Sequence, residues 1–367
     1  MDFDFSDDQK QLQDSLRRFL TRECTSRNVR AIFESARSHD VELWTGLAKL
    51  GFTGTAIPEE YGGAGLGYLE LCLVMEELGR VLAPVPFTTS VCLAVEAIKL
   101  AGSTEQKFRY LPSIAEGSCI GTLAIAEGKG AAACVRKGRL TGMKTAVADG
   151  TAADFAIVEA RDESDDLSLY IVDLRNAGVE RIVLDAIDPS CKFARITFAN
   201  VPVEPLGPRG RGQVLLRQIQ DRAAVLVAFE QIGGAFRALE MARDYARERY
   251  AFGRAIGSFQ AIKHMLADMY VSAALARGNA NFAAWALDAA SQELPVAAAA
   301  ARVAATSAFQ HCAKNNIQVH GGIGFTWEMD CHLFYRRSNS LALMLGSCSS
   351  WEARLVDRLT SSEEAHA

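Results

Sequence analysis

Leu206-Gly207-Pro208-Arg209-Gly210-Arg211-Gly212 separates two textures of the chain. A proline and three glycines within six residues can continue neither a strand nor a helix, so a boundary falls here. On its C-terminal side apolar residues recur at steps of three and four over long segments, from about Val214 to Tyr250, Gln260 to Ala289, Pro295 to Val319 and Trp327 to Leu359. Long helices joined by short connections predict an antiparallel four-helix bundle. Pro295 suits a first helical turn. Gly233-Gly234-Ala235 and the run Ala297 to Ala301 supply small side chains for close helix approach, in the core and between subunits.

On the N-terminal side, from about Ser118 to Pro205, the runs are short and β-rich: Ile120 to Ile125, Phe155 to Glu159, Leu167 to Leu174 and Arg195 to Phe198. Asp149-Gly150 reads as a hairpin turn, and the acidic run from Asp162 to Asp166 as a solvated loop. Further upstream the helical period returns, with Leu12, Leu16, Phe19 and Leu20 on one stripe and Leu71, Leu73, Val74 and Leu78 on another. Between them Pro58 to Gly67 holds four glycines within six residues, which predicts a flexible connection or a set of turns. The fold class is therefore α+β: an N-terminal helical domain (1–116), a middle β domain (117–206) and a C-terminal four-helix bundle (207–367).

A chain of 367 residues is long enough for two or three domains and a large core, which excludes a peptide-sized module. The net charge of −5 gives no basic field for nucleic acid or an anionic membrane, so any anionic ligand must be held by local groups. Nine cysteines, odd in number and never spaced as CxxC, indicate neither a disulfide framework nor a zinc site. The acidic start and the lack of an apolar run of about 18 residues predict a cytoplasmic protein with no membrane span.

Asp221 shares a helical face with Val225, Ala228, Ile232, Phe236 and Leu239. Burial makes a carboxylate a stronger base, the usual route to a general base from Asp, and the adjacent Arg222 could keep it ionised. A pair with Arg217, or a structural ion pair inside the bundle, explains the same pattern. Two turns carry a second kind of chemistry. Arg249-Tyr250-Ala251-Phe252-Gly253 with Phe259-Gln260 puts a cation, an aromatic ring and an amide at a helix reversal, where phosphate or an adenine edge can be held. Gln318-Val319-His320-Gly321-Gly322-Ile323-Gly324-Phe325 could bring backbone N–H groups to an anion. Each is equally a plain interhelical turn. The six histidines form no close pair, so no metal is expected. GxGxxG, Walker and GxSxG motifs are absent, which removes Rossmann, P-loop and α/β-hydrolase readings.

Taken in order, PEEYGGAGLG and MEELGR, then GMKTAVADGTAADFAIV, then RERYAFGRAIGSFQAIKHMLADM and QVHGGIGFTWEMD resemble the acyl-CoA dehydrogenase family over nearly the whole chain. The last stretch is similar to actinobacterial heteromeric members acting on bulky or steroid side-chain acyl-CoA. The resemblance implies helical, β and helical domains, FAD, and dehydrogenation of an acyl-CoA thioester to the trans-2-enoyl-CoA. A carboxylate takes the α proton and the β-hydride passes to flavin N5; electrons leave through an electron-transferring flavoprotein or similar acceptor. It also implies that Arg249, Phe252, Gln260, Gln318, Gly321 and Gly322 hold the adenine and pyrophosphate end of FAD from a neighbouring subunit.

Family members carry the base at one of two places. The commoner lies just before a glycine of the last helix, here Gly346, and no acid is there. The other directly precedes an arginine early in the first long bundle helix, as in isovaleryl-CoA dehydrogenases, and is here Asp221 with Arg222. Glu328 and Glu352 are alternatives better explained as a helix N-terminal acid and a surface residue. In the β domain Ala126-Glu127-Gly128-Lys129-Gly130-Ala131-Ala132-Ala133 replaces the family's TEPGAGSD stretch. Ala146 and Ala148 stand where a Trp and a Thr commonly meet the flavin ring. Two assemblies follow: a homotetramer that owns its site, or a flavin-poor partner in an α2β2 heterotetramer. An acyl-CoA oxidase or nitroalkane oxidase-like flavoenzyme is a third reading.

Overall fold

The computed structural model describes residues 5–128 and 132–366. Its first part is helical: α1 (Asp7–Glu23), α2 (Ser26–Phe33), α3 (Val41–Lys49), α4 (Tyr68–Val81), α5 (Glu96–Ala101) and α6 (Thr104–Ala115). Polar caps fix several starts. Ser6 accepts from Gln9 N at 3.2 Å while Gln9 Oε1 accepts from Ser6 N at 2.9 Å, and Ser103 with Gln106 repeats this reciprocal box before α6. Asp40 caps α3 through Leu43 N at 3.0 Å. A π-helical stretch, Thr88–Val95, leads directly into α5.

One mixed sheet follows: β1 (Gly121–Ala124), β2 (Cys134–Arg136), β3 (Arg139–Ala148), β4 (Phe155–Arg161), β5 (Leu167–Asp173), β6 (Val179–Leu184), β7 (Phe193–Pro202) and β8 (Glu204–Leu206). Its order is β6-β7-β3-β2-β4-β5-β8, with β1 pairing β4 in parallel. The four strand runs legible in the sequence are β1, β4, β5 and β7. Asp149-Gly150 is not a hairpin turn: it leaves β3 for β4, and β2 lies between those two strands, so the turn joins strands that do not pair. The glycine-rich Pro58–Gly67 segment forms a set of turns, one of the two outcomes expected from its glycines. Ala64 N, Gly65 N and Leu66 N donate to Gly54, Ile57 and Thr55 carbonyls at 2.9, 2.9 and 3.0 Å, and glycine is required because a Cβ on Gly63 would meet Ile57 O at 2.1 Å.

The chain then returns to helices, α7 (Gly212–Glu248), α8 (Gln260–Asp288), α9 (Leu294–His320), α10 (Cys331–Met344) and α11 (Cys348–His366), with a two-stranded hairpin, β9 (Tyr250–Ala251) and β10 (Arg254–Ala255), between α7 and α8. The segment expected as one last helix is two. Gly346 takes φ +105, and buried Trp351 donates Nε1 to Leu345 O at 3.0 Å, so this carbonyl is held by a side chain at the break.

By contacts the chain forms two units, one holding α1, α4 and everything from Ala224 onward, the other comprising Arg30–Gly67 and Pro84–Ala223. The core of the first is the apolar face of α7, including Val225, Ala228 and Ile232, with Ala276, Ala280, Ala305 and Phe309 of α8 and α9. Gly234 lies under the Phe309 ring, where a Cβ would come within 2.4 Å, so these small residues serve packing within the chain. The second is centred on β4 and β5, where Ala156 to Val158 and Leu169 to Val172 are buried.

Candidate functional site

Asp221 lies in the third turn of α7, only 6% exposed, beside fully buried Ile219 and Ala223. The apolar stripe read from the sequence therefore does carry a buried carboxylate. Arg222 reaches another acid: its Nη1 stands 3.6 Å from Oε2 of Glu96, which opens α5 and is 1% exposed. Lys99 Nζ approaches Glu96 Oε1 at 3.1 Å and donates to Ala56 O at 2.8 Å. Two cations thus face one buried carboxylate. Sequence reading missed Glu96; its signal was a lone acid in the apolar run Val91 to Ile98 with a lysine three residues on. Arg217 is exposed.

Leu345, which precedes Gly346, is buried. Glu328 precedes α10 rather than starting it, and both Glu328 and Glu352 are exposed. Neither site offers a desolvated carboxylate.

In the β domain the β3–β7 register breaks between Lys144 and Val147, and within the break Ala146 is exposed at φ +50. Ala148 is half-buried and its carbonyl accepts from Thr122 Oγ1 at 2.6 Å. Lys144 is wholly buried, donating Nζ to Ile125 O at 3.0 Å and Glu127 Oε1 at 3.1 Å; desolvation lowers its pKa. This ties the start of the 126–133 stretch to β3, with Ala133 N donating to Glu127 Oε1 at 3.2 Å. Lys129–Ala131 lie outside the described residues.

The two turns singled out from the sequence come together. Arg249 and Gly322 line one open cavity of about 300 Å³ with Tyr245, Ile256, Val319, His320 and Ile323. The first turn is a β-hairpin rather than a simple helix reversal: Ala251 pairs Arg254, and Phe252 and Gly253 at φ +55 and +79 make the two-residue loop. That geometry pushes the Phe252 ring out, 94% exposed. In the second turn Gly321 caps α9 at φ +64. Gln260, Gln318, Gly321 and Gly322 are exposed, and a Cβ on Gly253, Gly321 or Gly322 would meet nothing within 4 Å. His320 stacks on Tyr245 with centroids 4.1 Å apart and donates Nδ1–H to Asn316 O at 2.8 Å; burial lowers its pKa.

A guanidinium, an outward aromatic ring, two amides and open glycine backbone suit the pyrophosphate and adenine of a dinucleotide such as FAD. Ala146 and Ala148, the positions that the resemblance assigns to the flavin ring, offer methyl groups and backbone only. Among the described residues no group of His, Cys, Asp or Glu could hold a metal, and no helix is long and apolar enough to cross a membrane.

Family models of the acyl-CoA dehydrogenase N-terminal and C-terminal domains match residues 6–118 and 210–351. The chain is 32% identical to the acyl-CoA dehydrogenase IpdE2 of Mycobacterium tuberculosis, over 93% of this chain and 94% of that protein. Among solved structures it resembles a variant of the Tcur3481-Tcur3483 steroid ACAD (31% identity, TM-score 0.88) and the ChsE4-ChsE5 complex from Mycobacterium tuberculosis (28%, 0.90). Each covers 98% of this chain and 99% of the other. With both family domains matched in order and an acyl-CoA dehydrogenase alike over 93% of this chain, the chain belongs to the acyl-CoA dehydrogenase family, FAD-dependent flavoprotein oxidoreductases acting on acyl-CoA.

Proposed function

We propose that this chain dehydrogenates an acyl-CoA thioester to the trans-2-enoyl-CoA with Asp221 as the base that removes the α proton. The observation carrying this reading is the near-complete burial of Asp221 directly before Arg222, while the alternative acid position holds Leu345. A carboxylate kept from water is a stronger base, and an adjoining guanidinium holds it ionised until substrate arrives. FAD, when bound, supplies the acceptor for the β-hydride. Arg249, Phe252, Gln260, Gln318, Gly321 and Gly322 hold its adenine and pyrophosphate end, and the 126–128 stretch, fixed by Lys144, borders its ring end. Small side chains at Ala146 and Ala148 leave room for a branched or polycyclic acyl group, a substrate class consistent with the steroid relative. An electron-transferring flavoprotein or similar acceptor takes the electrons, in the cytoplasm. Asp221→Asn should keep the flavin content of the wild-type holoprotein and abolish flavin reduction by acyl-CoA; unchanged reduction removes Asp221 from this role.

A second reading is favoured by the contrast between the complete adenine-end turns and the bare ring end. Here the chain is one half of an α2β2 dehydrogenase, lending Arg249, Phe252, Gln260 and Gln318 to FAD shared with a homologous chain. Visible absorption and released flavin separate the two. Near one FAD per chain in the protein purified alone supports a homotetramer, whereas flavin that appears only on co-expression with a homologous subunit supports the heteromer.

A further inference from the structure

Arg222 is the residue that the base reading needs beside Asp221, and its Nη1 stands 3.6 Å from Oε2 of Glu96 on another helix. Glu96 is buried and its helix is tied at both ends. The π-helical stretch before it is anchored to the sheet, with Thr89 Oγ1 donating to Asp149 Oδ2 at 2.8 Å and Gly121 N donating to Ser90 Oγ at 3.2 Å. After it, Lys99 spans Glu96 and the Ala56 carbonyl. π-Helical stretches are rare and occur frequently at functional sites. The Glu96 carboxylate is thus the buried member of the pair, and Arg222, three-quarters covered, the more exposed one.

We infer that Glu96 is a positioning residue for the dehydrogenation: by gripping Arg222 from α5 it fixes the guanidinium next to the proposed base on α7. This rests on the reading of Asp221 as base. Glu96 touches neither substrate nor flavin in this assignment and acts through Arg222 alone. Charge and reach both matter. Glutamine keeps the shape of Glu96 but loses its pull on the guanidinium, while aspartate keeps the charge with one methylene less.

The test is a double-mutant cycle on the flavin-loaded protein, co-expressed with a homologous partner chain if flavin requires it. Stopped-flow flavin reduction is followed with butyryl-CoA, octanoyl-CoA, isovaleryl-CoA and a steroid side-chain acyl-CoA. With the thioester that reduces the wild type fastest, Glu96→Gln should slow reduction roughly 10- to 100-fold, the scale of a misplaced catalytic group, with half-saturation little changed. Glu96→Asp should recover part of that loss, and Glu96→Gln should add nothing once Arg222→Gln is present. A general structural role would slow the Arg222→Gln background as well. Wild-type rates in Glu96→Gln, or full additivity with Arg222→Gln, overturn the proposal. If Glu96→Gln does not fold, the same cycle with Glu96→Asp and Arg222→Lys decides by additivity. Asp221→Asn is run alongside: its full activity overturns the base assignment, whereas an inactive Asp221→Asn beside a normal Glu96→Gln overturns only the role of Glu96. A holoprotein that none of the four thioesters reduces overturns both.

Discussion

A Cβ built on Gly233 of α7 would stand 2.0 Å from the backbone carbonyl oxygen of Glu76 on α4, and one on Gly79 of α4 would stand 1.9 Å from the carbonyl of Glu230 on α7. The two helices cross at mutual backbone contact. Ion pairs to buried acids flank the crossing: Arg277 Nη2 lies 2.6 Å from Glu76 Oε1, and Arg337 Nη1 lies 3.4 Å from Glu230 Oε1. Close approach places both acids among cations supplied by α8 and α10.

Gly233→Ala should therefore destabilise the protein although alanine is the better helix former. The gain in propensity is about 1 kcal/mol, while overpacking against a rigid carbonyl costs about 1–3 kcal/mol and also strains the Glu76 pair. Gly278 in α8 is the internal control, because nothing lies within 4 Å of its Cβ position. Gly278→Ala should raise stability by about 0.5–1 kcal/mol. Denaturant midpoints of the two variants moving in the same direction would contradict this account of the crossing.

His320 predicts a pH effect with a definite sign. Desolvation lowers its folded pKa, outweighing the hydrogen bond to Asn316 O, which acts the other way. The unfolded chain, near pKa 6.5, therefore binds the proton more readily than the folded chain. Stability from this group is complete above about pH 6.5 and falls as pH drops below it, because only the unfolded state gains the proton. His320→Phe keeps an aromatic ring to stack on Tyr245 and removes the titration. Between pH 7.5 and 5.5 the wild-type unfolding temperature should fall more steeply than that of His320→Phe. Parallel curves would show that His320 takes up its proton as readily in the fold as in the unfolded chain.

The helix, sheet, helix order was legible because periods of 3.6 and 2 survive in any single sequence, and Gly207 to Gly212 marks the change. β6 was not: Glu180 to Val183 are exposed on an edge strand, so no alternation was required of them. The break at Leu345–Gly346 was hidden because the helix-forming pattern runs through it, and the stop depends on Trp351 reaching back in three dimensions. For the site, Asp221 was visible as a lone acid on an apolar stripe, but its neighbour's partner was not. Glu96 lies 126 positions from Arg222 in sequence, and no local spacing relates them. The cavity between the hairpin and the glycine turn is likewise a tertiary fact, although each half was readable by itself.

The last prediction concerns that cavity and separates ligand holding from folding. Phe252 is 94% exposed at φ +55, a conformation that costs a non-glycine residue strain and is natural to glycine. A folded chain gains little from its ring, so Phe252→Gly should leave the unfolding midpoint of the flavin-free protein unchanged or slightly raised. Arg249 is also exposed, and Arg249→Gln should be equally mild for flavin-free stability. FAD retention should respond the other way. A charge-assisted hydrogen bond to phosphate contributes about 1.5–3 kcal/mol, so losing it should weaken FAD binding roughly 10- to 100-fold. Titration of flavin-stripped protein with FAD, read by quenching of flavin fluorescence, measures this directly. Wild-type FAD affinity in both variants would move the adenine-end site away from these turns, whereas weakened affinity with intact stability would show that the outward Phe252 and Arg249 are kept for the cofactor rather than for the fold.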